Sequence, residues 1–300
     1  MLSLGLVKTA DKYISMVIFT KLDWIQSQPR LLSWAQSAGH ELIEAGTAIA
    51  DPSRVGVLVT READMNNLGL LRHNQSILAL LPIRDEEIEG DIERTIKYIE
   101  RLSPEKPSVV LNNHNEGFEH FQFQIAKSED RWKLIEQLGD YVRTKPVFET
   151  FPDMAKTIAS ELLTNAFYNA PQDSSGRAIQ PNRADQVAFT PPRFVDFSYG
   201  DDGTHVWIRV GDPFGTFSRD KLLDHLMACA SRDQLVVREG VGGAGIGLFM
   251  VFRWASELLF VFEPGRETFV MVKLLKTKRM RTFDSQRAIF EVIERRKTDA

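Results

Sequence analysis

Apolar positions along the chain fall into two rhythms. Up to about residue 115, short apolar runs at 14–20, 55–60, 77–83 and 108–112 alternate with longer stretches over 23–38, 66–73 and 85–102. In the last of these, Ile88, Ile92, Ile96 and Ile99 recur at helical spacing. The short runs predict strands, the longer ones amphipathic helices, and their alternation predicts a small α/β domain over 1–115 with a mostly parallel sheet. From residue 116 the order changes. A period-two segment over 121–125 is followed by helical patterns over 128–144 and 153–170, then by a polar loop over 171–193 rich in Ser, Gly, Asp and Pro. Two pairs of strand patterns come next: 194–199 with 205–210, joined by Gly200-Asp201-Asp202-Gly203, and 258–262 with 268–275, joined by Glu263-Pro264-Gly265-Arg266-Glu267. Asp-Gly between alternating runs is a hairpin signal, because the turn needs residues that tolerate positive φ. Residues 116–276 are therefore expected to form an α+β layer structure, an antiparallel-rich sheet with helices on one side. The remainder, 277–300, reads as a basic tail with a short helix over 284–296, whose apolar side carries Ile289, Val292 and Ile293.

Composition narrows the classes. With 300 residues, 43% hydrophobic and 26% charged, the chain has material for two packed domains. A net charge of −4 gives no electrostatic reason to expect nucleic acid or an anionic membrane as partner, although Lys276-Thr277-Lys278-Arg279-Met280-Arg281 is a local basic run. One cysteine, Cys229, excludes an internal disulfide framework and a cysteine-based zinc site. The N-terminus lacks a basic segment before its short apolar run, and no apolar stretch is long enough for a membrane helix, so a cytoplasmic location is expected.

Three segments carry candidate chemistry. In Glu161-Leu162-Leu163-Thr164-Asn165 the acid and the amide are one helical turn apart, and Asn169 extends the same row. An asparagine oxygen suits hydrated Mg²⁺, and a glutamate beside it can accept a proton from an attacking hydroxyl or water. An ordinary solvated helix face would carry the same residues. Asp212 follows the run 206–211 and so ends a strand; its carboxylate can accept from the exocyclic amine of adenine, and Gly215 would let backbone approach a ligand closely. Asp212-Pro213 also fits a plain turn. The third segment, Gly240-Val241-Gly242-Gly243-Ala244-Gly245-Ile246-Gly247, precedes the apolar run opened by Leu248. Glycines that expose N–H groups at a helix N-terminus suit phosphate. The same glycines satisfy G-x-G-x-x-G after a candidate strand at 234–237, with Glu263 about 20 residues on, as a dinucleotide fold requires. Too little chain follows Glu263 for that fold, and part of it is an antiparallel partner strand.

Taken in order, the three segments resemble the GHKL ATPase superfamily, which includes histidine-kinase catalytic domains, anti-sigma serine kinases, type II topoisomerases and related chaperones. The resemblance spans roughly residues 118–275. It implies a two-layer ATP-binding sandwich in which Asn165 holds Mg²⁺ and Glu161 is the base. Asp212 and Thr268 would read adenine, and Gly243, Gly245, Gly247 and Leu248 would cradle phosphate, with Asn169 and Gly215 also in the site. The stretch 216–242 would be a mobile lid, bringing Arg219, Lys221, Arg232 and Arg238 to the phosphates. Two departures stand out: Phe214 and Thr216 occupy glycine positions of the family's first glycine box, and none of the six histidines has a phosphoacceptor context. The N-terminal part resembles a response-regulator receiver in size and rhythm, yet the run 55–60 leads into Arg61-Glu62 and the run 14–20 into Lys21-Leu22, where a receiver needs its aspartates. The resemblance implies a bacterial signalling protein that binds Mg·ATP. It would act as a serine/threonine kinase of the anti-sigma type on a protein partner, a sigma-factor or antagonist-type regulator, with homodimerisation a further option. The alternative is a non-catalytic, nucleotide-sensing pseudo-kinase module.

Overall fold

A computed structural model describes residues 16–47, 54–61, 65–83, 88–102, 119–180, 182–230, 246–277 and 288–295. The expected strands at 108–112 and 234–237 lie outside them. Ten strands form one mixed sheet: β1 (Val17–Thr20), β2 (Glu41–Glu44), β3 (Gly56–Thr60), β4 (Ile77–Pro82), β5 (His120–Ile125), β6 (Val195–Asp201), β7 (His205–Asp212), β8 (Glu257–Glu263), β9 (Glu267–Leu275) and β10 (Ile289–Glu294). Eight α-helices pack on it among the described residues: α1 (Leu22–Gln26), α2 (Pro29–Ser37), α3 (Met65–His73), α4 (Ile88–Arg101), α5 (Arg131–Arg143), α6 (Phe151–Thr164), α7 (Arg219–Ala230) and α8 (Ile246–Trp254). The single helix expected over 23–38 breaks because Pro29 lacks an N–H and restricts the residue before it; proline is well placed at the start of α2.

Strand order is β2-β1-β3-β4-β10-β8-β9-β7-β6-β5. The first four strands are parallel, and β5, β6, β7, β9 and β8 are joined by antiparallel ladders. The fold is therefore α+β, and its two halves share one sheet. β10 joins them, antiparallel to β4 through Phe290–Leu80 and Glu291–Ala79 and parallel to β8 over its whole length. Within the helix expected over 284–296, residues 289–294 are thus corrected to a strand, and 284–287 and 296 lie outside the described residues. Ile289, Phe290, Val292 and Ile293 are buried on both faces, and a short apolar run reads equally well with either period.

Side-chain alternation decides how the layers stack. In β1 and β3, Val17, Phe19 and Leu58 face α3, while Ile18, Val57 and Val59 face α1, α2 and α4. The N-terminal half is therefore helix-covered on both sides. Around β8, the residues Leu258, Phe260 and Phe262 join the core under α5 to α8, and Leu259, Val261, Phe269 and Met271 form a separate cluster on the opposite face. All four C-terminal helices lie on the side that α3 also occupies.

That shared side makes α7 a seam over 219–230 rather than part of a free lid, and the rest of the lid expected over 216–242, residues 231–242, lies outside the described residues. The buried Arg219 guanidinium donates to the carbonyl oxygens of Leu71 (2.8 Å), Ile77 (2.6 Å), Asn74 (3.3 Å) and Val292 (3.2 Å). Burial lowers its pKa to about 10. One turn on, Asp220 and Asp224 pair with Arg72 of α3 at 3.0 and 2.9 Å. Arg219 is committed to the seam and does not line the cavity described next.

Candidate functional site

Most of the expected site residues come together on the helix-covered side of β7, β8 and β9. A cavity of about 760 Å³ is lined by Glu161, Asn165, Asn169, Asp212, Gly247, Leu248 and Thr268, residues more than 100 positions apart in the chain. Ligand cavities typically span about 300–1,000 Å³. Val210, Phe260 and Val270 give it an apolar sheet floor.

α6 supplies one wall. Its apolar stripe, including Ala155, Ile158, Ala159 and Leu162, packs into the core, so the row Glu161, Asn165, Asn169 faces the cavity. The helix ends in one π turn over Asn165–Asn169, closed by the Ala170 N–H donating to the Asn165 carbonyl at 2.9 Å. Such turns recur at functional sites because they re-aim side chains without breaking the backbone ladder. The Asn169 side-chain amide donates to Asn165 Oδ1 at 2.6 Å, so the two amides form one polar unit.

Asp212 stands where β7 ends, directly across from Thr268 of β9. Its Oδ1 accepts from the N–H groups of Phe214 (3.0 Å) and Gly215 (3.4 Å), so the turn geometry and the cavity position coexist. Burial pushes its pKa up to about 7, against the pull of those two N–H groups and of nearby Thr268; the charge on Glu267 adds to the rise. The buried Thr268 hydroxyl makes no geometrically sound hydrogen bond within the protein. The Asp212 carboxyl, whose Oδ2 takes no part in the turn's hydrogen bonds, and the Thr268 hydroxyl stand side by side as an acceptor and a donor in a mainly apolar cavity.

The two described glycines divide in role. A Cβ on Gly247 would lie 1.9 Å from Glu161 Oε2, so this glycine lets α8 begin directly against the carboxylate. Gly215 has φ of +57° and its Cβ would meet the Glu263 carbonyl at 2.3 Å. It serves close packing of the β8–β9 turn, whose Gly265 N–H donates to the Gly215 carbonyl at 3.0 Å, and it does not line the cavity. Gly243, Gly245, Arg232 and Arg238 lie outside the described residues. Phe214, at a glycine position of the family pattern, packs edge-on against Phe189 at 5.2 Å and under Arg193 at 5.7 Å, while the Thr216 hydroxyl donates to the Ala170 carbonyl at 2.6 Å.

Pattern reading did not single out Gln172, Ala178 and Arg183 of the 171–193 loop, or His225 of α7, which joins the expected Lys221. Loop length was the available signal, since long polar loops in compact domains are often functional, but no motif singled out a residue within it. Among the described residues no group of three or more His, Cys, Asp or Glu could hold a metal, and no helix is long and apolar enough to cross a membrane. The Asn165 amide and the Glu161 carboxylate are hard oxygen donors, which fits a cation that takes most of its ligands from water and phosphate.

Compared with known protein families and with curated proteins, the sequence matches no family model and no curated relative.

Proposed function

We propose that the cavity binds Mg·ATP and that the chain is a nucleotide-dependent signalling protein built on a GHKL-type ATPase half. One observation carries this reading: Glu161, Asn165, Asp212, Gly247 and Thr268, gathered from four segments of the chain, line one cavity of ligand size. The vacant pair at Asp212 and Thr268 suits a base that offers a donor beside an acceptor, as adenine does through its exocyclic amine and adjacent ring nitrogen. Asn165 would hold Mg²⁺ and Glu161 would take the proton of an attacking hydroxyl. Mg²⁺ would neutralise phosphate charge, and this kind of transfer rests mainly on positioning and electrostatics. The favoured activity is serine/threonine phosphorylation of a protein partner, in the manner of the anti-sigma kinases. In the N-terminal half, the order β2-β1-β3-β4 supports a receiver-like fold that lacks its aspartates.

A second reading draws on the packing beyond Asp212. Phe214 sits in an aromatic cluster, Gly215 is pinned to the β8–β9 turn and Arg219 is committed to the seam. A nucleotide-facing segment held this firmly favours sensing over turnover. The readings separate by following release of labelled phosphate from γ-labelled ATP together with retention of labelled ATP in equilibrium dialysis. Kinase or ATPase action predicts that Glu161→Gln keeps ATP bound but loses turnover. Binding without turnover in the wild type selects the sensing module, and neither binding nor turnover defeats both.

A further inference from the structure

We infer that Arg183, on the 171–193 loop, is an oligophosphate-recognising residue that forms, with Lys221 and His225 of α7, a cationic wall of the cavity. This deepens the Mg·ATP reading and rests on it only for the identity of the base. No family motif carries Arg183.

Charge placement comes first. Among the described residues, the titratable side chains lining the cavity are Glu161, Asp212, Arg183, Lys221 and His225. Glu161 belongs with the Asn165–Asn169 amides and Asp212 with Thr268. The cations come from different elements, the loop and α7. The two elements converge at the end of α6: the Gln172 amide donates to the Asn169 carbonyl at 3.0 Å, and the Thr216 hydroxyl, just before α7, donates to the Ala170 carbonyl at 2.6 Å. Loop and helix thus flank the Asn165–Asn169 end of the cavity, where a cation-bound phosphate chain would lie.

Pairing state comes second. Lys221 Nζ donates to the Thr216 carbonyl at 3.3 Å, and His225 Nε2 lies 3.8 Å from Cys229 Sγ. Arg183 forms no ion pair and no side-chain hydrogen bond with any described residue, and its Nε is fully buried without a partner. A buried guanidinium N–H without an acceptor is costly, and of the arginines with such an Nε, namely Arg94, Arg131, Arg183, Arg209 and Arg219, Arg183 is the one that lines the cavity, where a ligand can supply the acceptor. Guanidinium is the side chain best shaped for two-point recognition of phosphate.

Anchoring comes third. Asp185 holds the backbone beside Arg183: its carbonyl accepts from the Tyr168 hydroxyl at 2.8 Å and its carboxylate from the Asn182 amide at 3.0 Å. Val187 then exchanges hydrogen bonds with Ser128, through its N–H to Ser128 Oγ at 2.9 Å and its carbonyl from the Ser128 N–H at 2.8 Å. Arg183 is thus presented from a fixed position, which lowers the ordering cost of binding.

The test uses the full chain and three probes in calorimetry: Mg·ATP, adenosine and inorganic tripolyphosphate. Arg183→Gln is expected to weaken Mg·ATP and tripolyphosphate by about tenfold to a hundredfold while leaving adenosine affinity unchanged. Arg183→Lys, which keeps the charge without the planar fork, should fall between, and it decides the matter if Arg183→Gln does not fold. Tripolyphosphate binding that needs Arg183, without adenosine binding, would uphold the wall and defeat the adenine assignment. Unchanged Mg·ATP and tripolyphosphate affinity in folded Arg183→Gln would overturn the inference and leave the nucleotide reading standing. Wild-type protein that binds none of the probes would overturn both.

Discussion

Two carboxyl groups, the partly buried Asp212 and the buried Glu291, show how differently one molecule uses the same chemistry. Burial raises both, Asp212 to about 7 and Glu291 to about 8. Glu291 lies in β10, the strand that joins the halves, and accepts a short hydrogen bond from the Tyr98 hydroxyl of α4. The space beside it is only about 10 Å³, too small for any ligand. Asp212 is held by the turn it starts and opens on about 760 Å³. A shifted pKa therefore does not by itself mark a site. At β10 a tyrosine covers one oxygen of the acid and no ligand can reach the other, whereas the cavity leaves its acid available to a donor from outside.

The seam should carry the largest stability effect. Arg219→Ala removes the guanidinium donor from four carbonyl oxygens, of which that of Asn74 keeps the Ile77 N–H, and opens a void between α3, α7 and β10, and about 3–5 kcal/mol of stability should be lost, read as the urea midpoint. If the midpoint barely moves, the halves are not joined as described. The pH dependence comes next. Both carboxyl groups have folded pKa values above their ordinary ones, so the stability they contribute is fully present below about pH 4 and is lost as pH rises through 7 for Asp212 and 8 for Glu291. From these two groups, calorimetric melting should show a decline of several kcal/mol between about pH 4 and 8. Glu291→Gln should flatten the upper part of that decline and Asp212→Asn the lower part.

Smaller effects sharpen the cavity side. Binding of a base amine requires ionised Asp212, so Mg·ATP affinity should fall severalfold from about pH 8 to about pH 6 in the wild type and hold level in Asp212→Asn, whatever its absolute value. Equal slopes in the two proteins would remove Asp212 from the binding reaction. Thr268→Val deletes only a hydroxyl that has no partner in the protein, so melting should be unchanged while affinity drops by about threefold to tenfold.

Legibility followed the length scale of the forces involved. Helices with a clear apolar stripe and strands beside Asp-Gly turns could be read locally, as α4, β6 and β7 illustrate. The row Glu161, Asn165, Asn169 was legible because helical spacing alone puts it on one face. β10 was not, because its pattern serves two buried faces and its partners β4 and β8 are distant in sequence. Arg219 has the composition of a phosphate contact, and only the packing of α7 on α3 assigns it to backbone carbonyls. Gly215 likewise looks like a ligand-approach glycine until the β8–β9 turn is seen against it. Arg183 gave no periodic signal because loops have none.

The most direct test of the central claim is calorimetric titration of Mg·ATP into the wild type, Asp212→Asn and Glu291→Gln at one pH near 8. The account predicts saturable one-to-one binding that Asp212→Asn weakens at least about tenfold and that Glu291→Gln leaves unchanged. It would be contradicted by folded wild-type protein that binds no Mg·ATP, or by binding that is indifferent to Asp212.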